Sequence, residues 1–365
     1  MDHPQVYLDV DYKFHFGSGI TVNELVSDEV KALASAHWLS FPPAHPFLVD
    51  IIAIFYAILS TVNISANGFI IFLFIKEKSL RTPSNLFILN LAVSDLLMLL
   101  TNGVPIAIAP FIGNYWTFGS VYCTIYAYAG GVSGVVAIWT MVFIGYDRYI
   151  NIANKYKGAS FTFTKTTLAL IFIWMYPALV MLPPALGVWS KYSLEGLLNT
   201  CSFEYCTDTI GNASYVIFLF FTSYVMPMCF IINFYYFIGQ SVRKFFVALH
   251  NNASKHIAFA FHDKIASESK INRISITSVL LWLVAWTPYA IVCLVGQFGP
   301  RHLVTPLVSQ IPAMVAKTCT VFNCVIFGFS HPHVRKVAAG YFPGIFGSEE
   351  ATNQMTVQDK YSPLR

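Results

Sequence analysis

Seven long apolar stretches, separated by short polar ones, make up most of this chain. They lie at about 48–75, 84–108, 121–146, 167–190, 213–240, 274–297 and 306–329. Each holds the roughly 20 mostly apolar residues that a helix needs to cross the hydrocarbon of a bilayer. None shows the period-two alternation of a barrel strand. The pattern predicts an all-α membrane protein, a bundle of seven transmembrane helices. Residues 1–47 are polar and lean acidic, and those after Phe346 are polar again. The expected division is an extracellular segment 1–47, a bundle over 48–343 that ends in a short amphipathic helix, and a tail 344–365. The opening segment lacks the basic and apolar regions of a cleavable signal peptide, so the first span is expected to direct insertion.

Charge sets the orientation. Lys76, Lys78 and Arg81 follow the first stretch. Arg148, Lys155, Lys157 and Lys165 follow the third, and Arg243, Lys244, Lys255, Lys264, Lys270 and Arg273 follow the fifth. The opposite loops hold only Lys191 and Arg301. Basic loops stay in the cytoplasm, so the N-terminus is outside and the C-terminus inside. Only 11% of residues are charged and mean hydropathy is +0.59, against ~25% charged in soluble domains. The net charge of +4 belongs to the inner loops and does not point to nucleic acid.

One basic residue breaks the pattern. Lys317 lies near the middle of the seventh stretch, too deep to reach either headgroup layer. An unpaired ammonium there costs from ~3 to more than 10 kcal/mol. Lys317 is therefore neutral, paired with an acid, or covalently modified. Glu195, in the second outer loop, is the nearest plausible partner if a disulfide from that loop to the third span folds it toward the bundle centre. Of the outer cysteines, Cys123 opens the third stretch, while Cys201 and Cys206 share the loop. One bridge is expected, and sequence alone favours neither loop cysteine.

Other polar groups sit inside the stretches. Asn67, Asp95 and Asn323 are expected either to form a hydrogen-bonded cluster joining helices one, two and seven, or to make an ion or proton site. Asp147-Arg148-Tyr149 ends the third stretch before a basic loop, and Glu268 is placed to pair with Arg148. Pro288 in the sixth stretch stands between Trp286 and Tyr289, a hinge flanked by rings. Asn212-Ala213-Ser214 is a candidate glycosylation sequon at the outer end of span five.

Together these features resemble the rhodopsin-like G-protein-coupled receptors. The residues that carry the likeness are Asn67, LAVSD ending at Asp95, Cys123 with Cys201, Asp147-Arg148-Tyr149, Trp174, Pro227 with Tyr235, and Trp286-Thr287-Pro288-Tyr289. Lys317 stands six residues before Asn323, the place of the retinal-bearing lysine of opsins. KSLRTPSNLFILNLAVSDLL, LEGLLNTCSFEY and AWTPYAIVCLVGQFG have an arthropod visual-type character, as does His331-Pro332-His333-Val334-Arg335. The resemblance implies a Cys123–Cys201 disulfide and retinal, 11-cis or a 3-hydroxy derivative, on Lys317 through a protonated Schiff base. It implies a pocket walled by Tyr126, Trp286 and Tyr289. Tyr126 occupies the place where vertebrate visual opsins carry their counterion, which leaves that role to Glu195. Asp147, Arg148, Tyr149, Glu268 and Tyr235 become the coupling switch. The implied partners are a heterotrimeric G protein of the Gq class, arrestin and membrane lipid, in a rhabdomeric photoreceptor membrane. A receptor rather than an enzyme is expected.

The chain departs from the family at the seventh-span NPxxY motif, which reads Asn323-Cys324-Val325-Ile326-Phe327. That departure keeps open a second reading, a retinal photoisomerase without strong signalling. Asn102 occupies a second-span position that holds lysine in arthropod ultraviolet opsins, which favours a blue or longer-wavelength pigment.

Overall fold

The computed structural model describes residues 19–153, 160–251 and 255–346; side chains at 245–246, 248–251, 255–270, 328–329 and 345 lie outside that description. Among the described residues seven helices are long and apolar enough to cross a membrane: Pro46–Lys76, Leu86–Ile112, Gly119–Ile152, Phe163–Ala185, Ile210–Lys244, Ile271–Phe298 and Pro306–Phe327. The third is the most enclosed, with 78% of its most apolar window buried against 33–56% for the others. It is the central post of the bundle. Isoleucine and valine on the outer faces, such as Ile54, Ile58 and Val284, stay exposed because lipid is their solvent.

Boundaries follow local chemistry. The fourth helix ends at Ala185 instead of near 190, although Leu186, Val188 and Trp189 continue the apolar run. Gly187 and Trp189 take positive φ values of 65° and 72°, which a right-handed helix cannot contain. The fifth helix is widened by a π turn at Phe221–Val225 and the seventh by another at Cys324–Phe329. The third inner connection, read from the sequence as a loop over Arg243–Arg273, is largely helical. Helix five runs on to Asn251, and helix six begins at Lys255 and continues to Phe298. After the seventh span a helix Pro332–Tyr341 opens with its proline in the first turn, as proline geometry favours.

The outer face is closed by a two-stranded hairpin, β1 (Tyr192–Glu195) and β2 (Thr200–Phe203), in which Glu195 pairs with Thr200 and Leu194 with Cys201. Gly196 and Leu198 supply positive φ at 60° and 59° for the turn. Over the hairpin lies a cap from the N-terminal segment. Ala34 bridges Leu194, buried Trp38 packs edge-on against Tyr205 at 6.1 Å, and His37 Nε2 meets the Val304 carbonyl at 2.8 Å.

Candidate functional site

The Cys123–Cys201 disulfide ties β2 to the top of the third helix, with a Cα–Cα distance of 5.5 Å. Cys206 is a buried free thiol. Because Leu194 is opposite Cys201, this bond also sets the depth of β1, and Glu195 ends up 5% exposed. A loop glutamate is thereby carried into the bundle.

Glu195, Lys317, Tyr126, Trp286 and Tyr289 line one cavity between helices three, five, six and seven, under the hairpin. It offers about 160 Å³ to the centres of water-sized spheres, some tenfold more than the 10–15 Å³ that one buried water requires. Its walls are apolar and aromatic, including Phe220, Tyr224, Trp282, Ala313 and Ala316. Glycines on the third helix allow the walls to close in. A Cβ at Gly130 would stand 2.1 Å from Asn102 Oδ1, at Gly131 2.8 Å from Met181 Sδ, and at Gly134 3.0 Å from the Trp286 ring. Trp286 is held by its indole N–H, which donates to Cys319 Sγ at 3.3 Å, and by stacking on Trp282 at 5.8 Å.

Glu195 accepts hydrogen bonds from the Tyr205 hydroxyl at 2.8 Å and from the Tyr289 hydroxyl at 3.1 Å. Tyr289 also meets Ser202 at 2.7 Å, and Tyr205 meets Ser309 at 2.9 Å. Burial raises the Glu195 carboxyl above the ordinary carboxylate range, opposed by the Tyr205 hydroxyl, the Lys317 charge and the Tyr289 and Ser309 hydroxyls. Lys317 is not in ion-pair contact with Glu195. Its Nζ lies 5.8 Å from the centre of the buried Tyr56 ring. The arrangement is a deep amine and a tethered carboxylate lining one largely apolar cavity. Such an amine can condense with an aldehyde, and the carboxylate can hold the resulting cation.

Tyr56, Tyr205, Ser309, Met181 and the three glycines were not singled out from the sequence. Tyr205 had a signal, since it follows Cys201 at the spacing that puts alternate residues on one face of an extended chain. Tyr56 had none, because one tyrosine in an apolar run does not show which way it faces.

At the cytoplasmic end Asp147 pairs with Arg148 and accepts from Ser84 Oγ at 2.9 Å and Asn151 Nδ2 at 3.1 Å. The Tyr149 ring lies 5.7 Å from Phe234, and Tyr235 faces Gly145 of the third helix. The Glu268 side chain lies outside the described residues. Asn323 Nδ2 donates to Asp95 at 3.2 Å and its Oδ1 accepts from Ser278 at 3.0 Å. Asn67 is not bonded to either. It donates instead to the Thr320 backbone carbonyl at 3.3 Å, so helix one is tied to helix seven through the backbone. Asn212 of the candidate sequon is 6% exposed, and its Oδ1 accepts from Ser190 Oγ at 2.8 Å.

Residues 66–327 match the family described as 7 transmembrane receptor (rhodopsin family). The chain is 34% identical over 95% of both sequences to a compound eye opsin, BCRH2, of Hemigrapsus sanguineus. It is 35% identical to a Gq-coupled rhodopsin of Mizuhopecten yessoensis, over 90% of this chain and 67% of that one. The crystal structure of squid rhodopsin superimposes with a TM-score of 0.83 at 30% identity, covering 93% of this chain and 98% of that one. Proteins of this kind are receptors and not enzymes. This chain is a multi-pass membrane protein and belongs to the opsins of the rhodopsin-like receptor family.

Proposed function

We propose that this protein is a visual-type light receptor. It holds retinal, as the 11-cis or 3-hydroxy form, on the Lys317 amine as a protonated Schiff base with Glu195 as counterion. It signals through a Gq-type heterotrimeric G protein and is quenched by arrestin in a rhabdomeric photoreceptor membrane. One observation carries the chromophore assignment: a buried amine and a carboxylate, Glu195, delivered by the disulfide-pinned hairpin, line one largely apolar cavity. The residues fit a polyene aldehyde. The walls are aromatic, glycines leave its breadth, and the Tyr126 hydroxyl is buried without a protein partner.

The bound chromophore supplies a shape change on absorbing light. The chain supplies everything else. Tyr205 and Tyr289 orient the Glu195 carboxylate, and the hairpin and N-terminal cap exclude water. Trp286, wedged against Gly134 and lying two residues before Pro288, transmits a push on the cavity wall to helix six. Similarity to a rhodopsin named Gq-coupled supports the choice of G protein.

The test is reconstitution with 11-cis retinal. A visible band is expected that Lys317→Ala abolishes and that Glu195→Gln moves toward the ultraviolet at neutral pH. A colourless Lys317 protein, or an unchanged Glu195→Gln spectrum, refutes the respective assignment. The photoisomerase reading is favoured by Phe327, which is buried and lacks the family's tyrosine hydroxyl. Light-driven isomerisation without nucleotide exchange on Gq would select it.

A further inference from the structure

Helix five gives the cavity a largely apolar wall, formed by Val216, Leu219, Phe220, Ser223 and Tyr224. Two of these side chains carry hydroxyls. The Tyr224 hydroxyl has a partner, meeting Thr287 Oγ1 at 2.6 Å. Ser223 Oγ is buried and bonds to no group of the protein. A serine or threonine inside a helix ordinarily donates back to a carbonyl three or four residues earlier. Thr222 does so, to Phe218 at 2.7 Å and to Leu219 at 3.4 Å. Ser223, in the π turn Phe221–Val225, does not.

A second polar atom on the same cavity is also unbonded. Trp282 Nε1, on helix six, is buried without a partner, and its ring lies 5.9 Å from that of Tyr224, the residue beside Ser223. Trp286, four residues further along helix six, by contrast donates its indole N–H to Cys319. Buried polar atoms are nearly always bonded, so two left open on one cavity call for a ligand group that reaches them. Alanine and phenylalanine at these positions would line the same space with nothing left unpaired.

Lys317 stands on another wall. Helix seven packs against helices one, two and six, and helix five against helices three and six. A retinal joined to Lys317 through its aldehyde therefore has its ring left to meet helix five. We infer that Ser223 selects the chromophore by its ring, favouring retinal that carries a ring hydroxyl over retinal that does not, with Trp282 as the second contact. A hydroxyl can donate to Ser223 Oγ and accept the indole N–H, whereas a hydrocarbon ring leaves both unpaired. Sites built around a ligand hydroxyl reject the analogue lacking it, because their own polar groups are then stranded. This inference rests on the proposed chromophore function and decides between the two forms of retinal named there.

The test offers the full chain, in lipid nanodiscs, an equimolar excess of 11-cis retinal and 11-cis 3-hydroxyretinal. The bound chromophores are then extracted and separated by chromatography. The native chain is expected to hold the hydroxylated form over the other by about 5- to 30-fold, the ratio set by one hydrogen bond gained against one buried hydroxyl left unpaired. Ser223→Ala is expected to erase most of that preference. Thr222→Ala, which removes a hydroxyl bonded within its own helix, is expected to keep it. Equal uptake of the two forms by the native chain overturns the inference, whether or not the variants fold. So does a Ser223→Ala chain that keeps the native ratio. A chain left colourless by both aldehydes overturns the chromophore reading itself, whereas a visible band of equal yield with each overturns only the choice of ring.

Discussion

Alanine at Gly130, on the cavity face of the third helix, tests the account of how the pocket is shaped. Replacing a helix-interior glycine by alanine ordinarily stabilises by ~1 kcal/mol. Gly68, on the first helix with nothing within 4 Å of its missing Cβ, is expected to show that gain in full. At Gly130 the new Cβ would stand 2.1 Å from Asn102 Oδ1 and 2.9 Å from its Cγ. Asn102 cannot simply rotate away, since its amide donates to the Tyr126 carbonyl at 2.9 Å and to Thr101 Oγ1 at 3.1 Å. Displacing it forfeits one or two hydrogen bonds at about 1 kcal/mol each, on top of ~1–3 kcal/mol for overpacking. The net is a destabilisation of roughly 1–4 kcal/mol, and a gap of roughly 2–5 kcal/mol from Gly68→Ala. Gly131→Ala meets the flexible thioether of Met181 and falls near neutral. Gly134→Ala meets the immobilised Trp286 ring and falls between neutral and Gly130→Ala. Thermal unfolding in detergent, followed by exposure of the buried thiols of Cys293, Cys319 and Cys324, gives the order. Gly130→Ala as stable as Gly68→Ala would refute the close-approach argument.

Opening the disulfide by Cys201→Ser releases a constraint across 78 residues, worth about 4.5 kcal/mol of unfolded-chain entropy; Glu195 then leaves the cavity, and thermal midpoint and pigment yield should fall together. His331, buried beside the cytoplasmic end of the bundle, has its imidazole lowered from 6.5 to about 4, first by burial and then by the Arg148 and His333 charges. Between pH 6.5 and 4 the unfolded chain therefore binds a proton that the folded chain refuses, so stability falls as pH drops through that window, by up to about 3 kcal/mol. His331→Asn should flatten that part of the stability–pH curve, and an unchanged slope would contradict the assignment. Phe327→Tyr is expected to cost ~1–3 kcal/mol by placing a hydroxyl in a buried site and to increase light-dependent nucleotide exchange on Gq; exchange equal to the parent would show that the missing hydroxyl does not limit coupling.

The spans and their order are legible in the chain because lipid demands unbroken apolar helices, a constraint that leaves a mark about 20 residues long each time. Their ends are less legible. Hydropathy runs smoothly through Leu186 and Trp189, and what stops the fourth helix is backbone conformation at Gly187 and Trp189, which hydropathy does not weigh. Likewise the inner extensions of helices five and six break their short apolar runs with Arg243, Lys244, Lys255 and Lys264, so a search for long apolar runs passes over them. Lys317 stands out in the sequence because a charge at that depth is costly whatever surrounds it. Glu195 emerges only through the disulfide, since a loop carboxylate is ordinarily solvated. Tyr56 and the third-helix glycines could not be assigned at all, for their significance lies in what faces them across the bundle.

The altered end of the seventh helix shows two properties of one motif coming apart. In the family pattern a proline after the asparagine distorts the helix and a tyrosine four residues on offers a hydroxyl. Here Cys324 stands in the proline's place with its backbone N–H intact, bonded to the Val321 carbonyl. The helix is nevertheless distorted, because Cys324–Phe329 forms a π turn, which inserts an extra residue and widens the coil just as it meets Arg148's end of the bundle. A local distortion of the helix is thus present here with the Cys324 donor retained. The hydroxyl has no such substitute. Phe327 is buried at 3% exposure, and a phenyl ring can pack but cannot pull a water or a neighbour into register. The helix distortion is therefore kept while the family's tyrosine hydroxyl is removed. On the proposed function, an opsin built this way is expected to keep its pocket and to differ in how far light shifts the balance toward signalling.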